Sequence, residues 1–243
     1  MESDDRTVEI ARSFGARVLS HPREAWVEPA RQFGIAQCQG NWILIVDADE
    51  MLPPSLARKL QEISRGDDAD IVWLPRRNIW FGKWLRHGVT WPDPYPRFFR
   101  PGAQTIDHRL HSKPVPAAGA RSVRLPAEER YALVHVPGET LADAAAKTWR
   151  YAAIGAADLH KDGGRFGWLS ALRSVAREFV GRLVVRQAFR DGREGVVVAL
   201  MDGLIYPVLT WLRLWELESG DKHRAANEGV REALLQEWNR ASR

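Results

Sequence analysis

Three acidic side chains, Asp47, Asp49 and Glu50, directly follow an apolar run, Trp42–Val46. Asp47 and Asp49 have one residue between them, so their side chains point to the same side wherever strand geometry persists. Two convergent carboxylates suit a hard divalent cation such as Mg²⁺ or Mn²⁺, which prefers oxygen ligands. Such a cation can clamp a diphosphate and stabilise it as a leaving group. The spacing therefore predicts a metal–diphosphate site, and the alternative is a strand end followed by helix-capping acids.

Two other acidic motifs do not fit these residues. An EF-hand calcium loop needs glycine at its sixth position, where this chain has Leu52. A phosphatase-type D-x-D-x-T pattern needs threonine where this chain has Met51. The diphosphate site and the helix cap therefore remain as the two interpretations of the acids.

The elements that must position these acids alternate between helix and strand. The run Trp42–Val46 is typical of a parallel strand that is buried on both faces. Periodicity and punctuation by Gly and Pro predict the neighbouring elements, which are a helix from Asp4 or Asp5 to Gly15, a strand over 16–20, helices over 29–39 and 53–64, and a strand over 71–75. This alternation predicts an α/β fold, a mostly parallel sheet flanked by helices, in which ligands bind at the carboxyl ends of the strands.

The second half of the chain has a different character. Residues 76–138 are rich in Pro, Gly, Trp and His, which is typical of loops and short strands around a site. Helical periodicity then predicts helices over 140–161, 166–190 and 195–218. We therefore expect an α/β domain over 1–138, a helical region over 139–219 and a polar tail over 220–243.

Composition narrows the class of protein. The net charge of +4 and the pI of about 9.4 are compatible with an anionic partner. The single cysteine, Cys38, excludes a disulfide framework. The N-terminus, MESDDRTVEI, lacks the apolar core of a signal peptide, and no uninterrupted stretch of 18 apolar residues predicts a simple transmembrane helix.

A basic amphipathic helix precedes a long apolar segment. Arginines spaced by three to five residues between 173 and 193 share one broad helix face, beside apolar residues such as Leu172 and Val184. This pattern is typical of an element that binds an anionic membrane surface. The apolar segment that follows contains Asp202 and Pro207, so we expect a shallow interfacial hairpin, and the alternative is a pair of core helices with solvated arginines. No nucleic-acid motif accompanies the basic face, so nucleic acid is not an expected partner.

Several blocks of the sequence, taken in order, resemble the family 2 glycosyltransferases of the GT-A fold, which is Rossmann-like. The matching segments are ESDDRTVEIA, the Arg31–Gln32 pair, NWILIVDADE, RNIWFGKWLRHG, PDPYPRFFRPGA and FRDGREGVVVALMDGLIYPVLTWLRLWE, which together span roughly residues 3–218. The closest resemblance is to the bacterial branch that adds sugars to lipopolysaccharide core or other surface glycans. It implies an inverting, metal-dependent transfer of a hexosyl or heptosyl group from a nucleotide-sugar donor to such a glycan or to a lipid-linked acceptor.

The resemblance also implies roles for individual residues. Asp49 is expected to bind Mg²⁺ or Mn²⁺ directly, and Asp47 to contact the donor ribose or the metal. Further donor contacts are expected from Asp5, Arg31, Gln32 and Arg97. Arg31 suits a phosphate because of its planar fork, although a solvated helix position is an equally open interpretation.

Two later residues, Asp93 and His111, are candidates for catalysis, and His135 is a candidate contact to the acceptor. Asp93, in WPDPYPRFF, lies in the stretch where the family's catalytic base is expected, although an Asp-Pro pair also commonly begins a turn. His111 aligns with the block that supplies a late histidine as a metal ligand or donor contact, so we expect it in the catalytic and metal sets. His135 follows an apolar strand and either contacts the acceptor or forms a hydrogen bond in the core.

The resemblance also suggests that the family's first strand is missing, because this chain begins in the loop after the second one. The expected location is cytoplasmic, at the inner face of the cell membrane. The alternative function is a catalytically inactive, membrane-associated or partner-binding remnant of such an enzyme.

Overall fold

The computed structural model describes residues 2–24, 26–106, 114–138 and 140–241. The chain forms two compact units, each with its own core. The first unit comprises Met1–Ile79 and Thr90–Pro137, and the second comprises Trp80–Val89 and Gly138–Arg243. Strands dominate the first unit, whereas the second is helical.

The first unit contains short helices and strands in alternation. Its described helices are α1 Thr7–Ser13, α2 Glu28–Ala36 and α3 Pro54–Arg65. The described strands of the whole chain are β1 Ile43–Leu44, β2 Glu50–Met51, β3 Ile71–Leu74, β4 Arg76–Trp80, β5 Lys83–Trp84, β6 Tyr95–Phe99, β7 Gln104–Thr105, β8 Val115–Pro116, β9 Ser122–Arg124 and β10 Leu133–His135. The α/β class with flanking helices is confirmed.

Two mixed sheets and one short hairpin make up the strand framework. The first sheet has the order β1-β6-β3-β9, with antiparallel pairs except for β3 and β9, which are parallel. In the second sheet β10 lies between β2 and β4, antiparallel to the former and parallel to the latter. This register places His135 opposite both Glu50 and Asn78, which prepares the site described below.

The strand β1 is antiparallel to its neighbour and lies at a sheet edge, so the expectation of a parallel strand over Trp42–Val46 is wrong. Its apolar sequence has another cause. Trp42 and Leu44 pack against one hydrophobic cluster, while Ile43 and Ile45 belong to another. Because alternate side chains of a strand point to opposite faces, two covered faces require apolar residues at successive positions.

The N-terminal elements match the sequence expectation only in part. Asp5 accepts a hydrogen bond from the Thr7 N–H at 2.9 Å at the start of α1, and Gly15 has a φ of +76° just after its end. Residues 16–20 form no strand. Leu19 is exposed and Val18 is only half-buried, so this segment buries too little surface to hold a strand in place.

The second unit is built on four described α-helices, with two π-helical turns and one 3₁₀ helix between them. These are α4 Leu141–Lys161, α5 Trp168–Val180, a π-helical turn Gly181–Val185, a 3₁₀ helix Ala188–Asp191, α6 Gly192–Leu200, a second π-helical turn Met201–Ile205 and α7 Tyr206–Ala241. A capping box between Thr140 and Asp143 starts α4, as the sequence predicts. The helices α4 and α7 approach closely at Gly155, where a Cβ atom would lie 3.0 Å from the Tyr206 hydroxyl oxygen.

The helix expected over 166–190 is interrupted before its end. Gln187 adopts a left-handed backbone with φ of +55°, and the Arg186 carbonyl accepts a hydrogen bond from the Gly88 N–H at 2.9 Å. A Cβ atom on Gly88 would lie only 2.8 Å from the Ala188 Cβ. The close approach of the 80–89 segment therefore takes the place of a further helical turn.

Asp191 binds residues of the 80–89 segment within the second unit. Its buried carboxylate accepts hydrogen bonds from the backbone N–H groups of Arg86 and His87 at 2.8 and 2.7 Å, and it lies 2.8 Å from His87 Nδ1. The Lys83 ammonium donates to the Asp191 carbonyl at 2.5 Å. These bonds explain why residues 80–89 belong to the second unit although they are remote from it in sequence.

The apolar segment after residue 195 is partly enclosed within the second unit. Val198, Ala199, Met201 and Leu214 are buried there. Helical structure over Ala188–Arg240 includes an 18-residue window of mean hydropathy 1.7 that is long and apolar enough to cross a membrane by length and composition, and 33% of that window is buried.

Two leucines on α7 provide a matched test of this packing. Leu214 has no exposed surface, whereas Leu212 is 41% exposed. We expect Leu214→Ala to lower the free energy of unfolding by about 2–5 kcal/mol, because it leaves a cavity in the core. Leu212→Ala is expected to cost less than about 1 kcal/mol, since the water-exposed side chain loses little burial. Urea unfolding followed by helical circular dichroism checks the difference, and equal losses would contradict the packing described.

Candidate functional site

The acidic motif forms a tight turn between two strands. Ile45 still pairs with the first sheet through a hydrogen bond from its N–H to the Arg97 carbonyl at 2.9 Å. The Glu50 N–H then donates to the Asp47 carbonyl at 2.9 Å, and the Asp47 N–H donates to the Glu50 carboxylate at 3.0 Å. Strand geometry therefore does not persist through the motif, and Asp47 and Asp49 contact different partners.

Asp47 is held between two arginines. Arg31 of α2 donates to Asp47 Oδ1 at 2.6 Å, and Arg97 of β6 donates to Oδ2 at 2.6 Å. Burial alone would raise the pKa of the Asp47 carboxyl, but the charges of Arg97 and Arg31 outweigh it and hold that pKa below its ordinary value of 3.8. The donor residues Arg31, Asp47 and Arg97 expected from the sequence are thus brought together.

Glu50 is a buried carboxylate that joins the two sheets. Its side chain has no exposed surface, and one oxygen lies 3.0 Å from Arg97 Nη2 and 3.5 Å from Arg76 Nη1. A buried carboxylate is tolerated only where opposite charges and hydrogen bonds compensate it in this way. Because Arg97 lies in β6 and Arg76 in β4, Glu50 links the first sheet to the second.

Arg76 continues the network to Asp93. Its guanidinium donates to Asp93 Oδ2 at 2.9 and 2.5 Å, and Asn78 Nδ2 donates to the same oxygen at 3.0 Å. Burial works to lower the pKa of Arg76, but the negative charges of Asp93 and Glu50 raise it above its ordinary value. Asp93 has a φ of +42°, a left-handed conformation that an aspartate keeps only where its surroundings fix it.

Asn78 also orients His135. The Asn78 amide nitrogen donates to the Thr90 carbonyl at 2.6 Å as well as to Asp93, so its oxygen is the atom that faces His135 Nδ1 at 2.5 Å. An amide oxygen can only accept a hydrogen bond. His135 Nδ1 therefore carries a hydrogen, which fixes the role left to the other ring nitrogen.

That other nitrogen meets the second aspartate of the motif. His135 Nε2 lies 3.3 Å from Asp49 Oδ2, and the Asp49 side chain is 38% exposed. A bare ring nitrogen and a carboxylate oxygen both present lone pairs and repel each other. The contact therefore requires either a proton between the two atoms or a cation that both groups bind.

A cleft of about 70 Å³ lies beside Asp47. It is lined by Glu28, Arg31, Ile45, Tyr95, Pro96, Arg97, Ile106 and Pro114. Two buried polar atoms of this wall, Glu28 Oε2 and Arg97 Nε, have no hydrogen-bond partner among the described residues. Because one accepts and the other donates, a ligand bearing hydroxyl groups or a phosphate would satisfy groups that otherwise carry a desolvation cost.

The remaining expected residues lie at different distances from this network. Gln32 donates to the Ile106 carbonyl at the edge of the cleft. Asp5 is exposed, and the hydrogen bonds that its carboxylate accepts from Thr7 lower its pKa. His111 lies in 107–113, outside the described residues, so its catalytic and metal roles stay predictions.

Sequence reasoning missed the residues that connect the site. In the sequence Glu50 is one of three acids with helix capping as an alternative role, no motif marks Arg76 or Asn78, and two interpretations of His135 stay open. The signal that could have identified them is residue type. Asn78 is an amide in a strand, where it is buried, and Glu50 follows an apolar strand with no basic residue near it in sequence. Asn78 and Glu50 both need polar or charged partners when buried, and only the fold brings those partners close to them.

Comparisons with known proteins point to one family. The model of the family described as Glycosyl transferase family 2 matches residues 2–124, just over half of the chain. This match includes the acidic turn and Asp93 but ends before His135.

Relatives with the same kind of name match a greater share of the chain. A protein of Rickettsia bellii (strain RML369-C) named as an uncharacterized glycosyltransferase is 27% identical over 223 residues, covering 89% of this chain and 74% of its own length. A protein of Rickettsia felis (strain ATCC VR-1525 / URRWXCal2) with the same name is 27% identical over 235 residues, covering 89% and 77%. A third, from Rickettsia typhi (strain ATCC VR-144 / Wilmington), is 25% identical over 223 residues, covering 89% and 75%.

The pairing of Asp47 with two arginines predicts a pH effect on stability. Because the folded state holds the pKa of Asp47 below 3.8, the unfolded chain binds the proton more readily. The stabilisation is complete above that value and is lost as the pH falls through the lower, folded-state pKa. Urea unfolding between pH 7 and pH 2 should show this acid loss, and Asp47→Asn should reduce it while lowering stability at neutral pH by about 2 kcal/mol.

The exposed Asp68 provides the control for this test. Asp68→Asn should leave both the acid dependence and the neutral-pH stability unchanged. An Asp47→Asn variant that keeps the full acid loss of the wild type would show that another carboxylate causes it.

Proposed function

The chain belongs to glycosyl transferase family 2, and on that basis we propose that it is an inverting, metal-dependent enzyme that uses a nucleotide-sugar donor. In this proposal the enzyme transfers a hexosyl or heptosyl group to lipopolysaccharide core or another lipid-linked glycan at the inner face of the cell membrane. The metal-dependent part of the proposal is carried by the contact between Asp49 and His135, which needs a proton or a cation. This contact lies in the same tight turn as Asp47, which two arginines hold.

Asp49 and His135 fit a divalent cation in their chemistry and in their support. Asp49 has a carboxylate side chain that is 38% exposed, and Asn78 holds the His135 ring with Nε2 towards it. The described residues contain no group of three His, Cys, Asp or Glu side chains around one point, so in this proposal diphosphate oxygens and water supply the other ligands. When bound, Mg²⁺ or Mn²⁺ neutralises the charge that develops on the diphosphate leaving group.

The two arginines of the cleft suit the same diphosphate. Arg31 and Arg97 are mostly buried, with 14% and 7% of their side chains exposed, and Asp47 holds them in place before a ligand arrives. Preorganised guanidinium groups bind phosphate oxygens through charge-assisted hydrogen bonds without a further ordering cost. In the proposal Asp47 turns to a donor ribose hydroxyl when phosphate oxygens contact its arginines.

Asp93 is the proposed catalytic base. Arg76 and Asn78 occupy only Oδ2, so among the described residues Oδ1 has no hydrogen-bond partner. The acceptor hydroxyl gives its proton to Oδ1 while its oxygen forms a bond to the anomeric carbon. The bond from that carbon to the diphosphate breaks in the same displacement, which inverts the anomeric centre.

Removal of either proposed metal ligand tests the cation site. We expect Asp49→Ala and His135→Ala to abolish high-affinity Mn²⁺ binding, measured by electron paramagnetic resonance in the presence of a nucleoside diphosphate. Both should lower kcat for release of the nucleotide product by at least about 100-fold, because charge neutralisation on the leaving group is lost. Asn78→Ala should weaken Mn²⁺ binding by about 10–100-fold through loss of ring orientation.

The matched control is Asp68→Ala, which removes an exposed carboxylate of the same unit and should change neither quantity. Undiminished turnover in Asp49→Ala would rule out the metal role. A chain that binds no nucleotide sugar would instead be the inactive remnant.

The role of Asp93 predicts a different kinetic signature. Asp93→Ala should reduce kcat by about 10²–10⁴-fold with nucleotide binding retained, because a general base acts on the chemical step. Asp93→Asn keeps the shape of the side chain and should be about as slow, since an amide takes no proton. Donor affinity measured by calorimetry separates this result from misfolding, and an active Asp93→Asn variant would exclude Asp93 as the base.

A further inference from the structure

The helix α5 and the turn that follows it carry a large exposed apolar surface. The exposed side chains are Trp168, Leu169, Leu172, Val180, Val184, Val185 and Phe189, with exposures from 47% for Val180 to 77% for Leu169. Soluble monomeric proteins rarely expose many large apolar side chains close together in water unless they form an interaction site. We call this surface the α5 face.

The same surface is strongly basic. Exposed arginines on or beside the α5 face are Arg165, Arg173, Arg177, Arg186, Arg190 and Arg193. Arg165 and Arg177 lie 4.0 and 3.7 Å from Glu218 and Glu178. For the other four, no carboxylate of the described residues lies within ion-pair distance. The charge of the α5 face is therefore mostly uncompensated by the protein itself.

Helical spacing places both kinds of residue on one side. Leu169, Leu172, Arg173, Ala176 and Arg177 recur at intervals of three and four residues and are all exposed. The opposite side of the helix carries Ala171, which is buried, and Val175 and Phe179, which are half-buried. The helix α5 therefore packs against its own unit through one side, and the α5 face is a separate, exposed side.

The combination of charge and apolar surface selects the partner. A second copy of the chain docked symmetrically would bring arginines against arginines, which is repulsive. A nucleic acid would use the arginines but would leave Leu169, Leu172 and Val185 without an apolar environment. An anionic bilayer satisfies both, because its phosphates pair with arginine and its acyl boundary accepts leucine, valine and tryptophan.

We infer that the α5 face docks the protein on an anionic lipid surface, with Trp168 and Leu169 inserted at the headgroup boundary and the arginines on lipid phosphates. This assigns membrane contact to α5 rather than to the apolar segment 195–216, which is partly enclosed within the second unit. The inference stands on this surface alone. Its failure would leave the sugar-transfer proposal intact, and the converse also holds.

Co-sedimentation of the full chain with vesicles tests the inference. The wild type should bind vesicles that contain phosphatidylglycerol, should bind pure phosphatidylcholine weakly, and should lose affinity as salt is raised from 0.1 to 0.5 M. Arg173→Glu combined with Arg177→Glu should weaken binding by at least about 25-fold, at roughly five-fold for each charge removed. Trp168→Ser combined with Leu169→Ser should abolish binding that survives high salt.

Matched controls lie on the exposed end of α7. Arg224→Glu with Arg231→Glu, and Val230→Ser with Leu235→Ser, change equally exposed residues of the same kinds and should leave vesicle binding unchanged. Circular dichroism and thermal unfolding confirm that each variant folds. The inference is overturned if the wild type does not bind vesicles, if it binds neutral vesicles equally well, or if the α5 variants bind as the wild type does. A dimer in sedimentation velocity that the α5 variants dissociate would also overturn it.

Discussion

The first unit depends on the buried carboxylate of Glu50. It has no contact with water, and its charge is compensated by Arg97 from one sheet and Arg76 from the other. Each arginine then reaches a further aspartate, Asp47 or Asp93, so that one buried charge fixes the positions of four others. Loss of Glu50 would leave two buried guanidinium groups underpaired, which is why a network of this kind acts as a unit.

This arrangement gives two neighbouring aspartates different tasks. Asp47 is paired with Arg31 and Arg97, whose charges keep its pKa low. The two arginines also line a cleft that contains buried polar atoms without hydrogen-bond partners among the described residues. Asp49 instead faces a histidine whose protonation pattern is set through Asn78 by the same network. In the proposed function Arg31 and Arg97 are the phosphate-binding side and Asp49 with His135 the cation-binding side, which is the division that transfer from a diphosphate donor requires.

The sequence predicted local features well and long-range partners poorly. The helix start at Pro54 followed from the proline rule, the start at Thr140 from helical periodicity, and the α/β class from alternation. The parallel strand over Trp42–Val46 was wrong, because apolar composition reports how many faces are covered and not which strand lies alongside. The strand over 16–20 was wrong because that segment stays mostly exposed. The link from Asp49 through His135 and Asn78 to Asp93 joins two strands, β10 and β4, with two loop residues, and could not be read from spacing in one segment.

The central claim is that this network leaves His135 Nε2 and Asp49 as a pair that binds a divalent cation with the donor diphosphate. Nitrogen-15 NMR of the histidine-labelled full chain tests it most directly, since ring nitrogen shifts report which atom carries hydrogen or metal. Addition of Mg²⁺ with a nucleoside diphosphate should shift the Nε2 signal of His135 and leave Nδ1 protonated, and Asp49→Ala should remove the response. A His135 signal that is unchanged while the nucleotide binds would contradict the account.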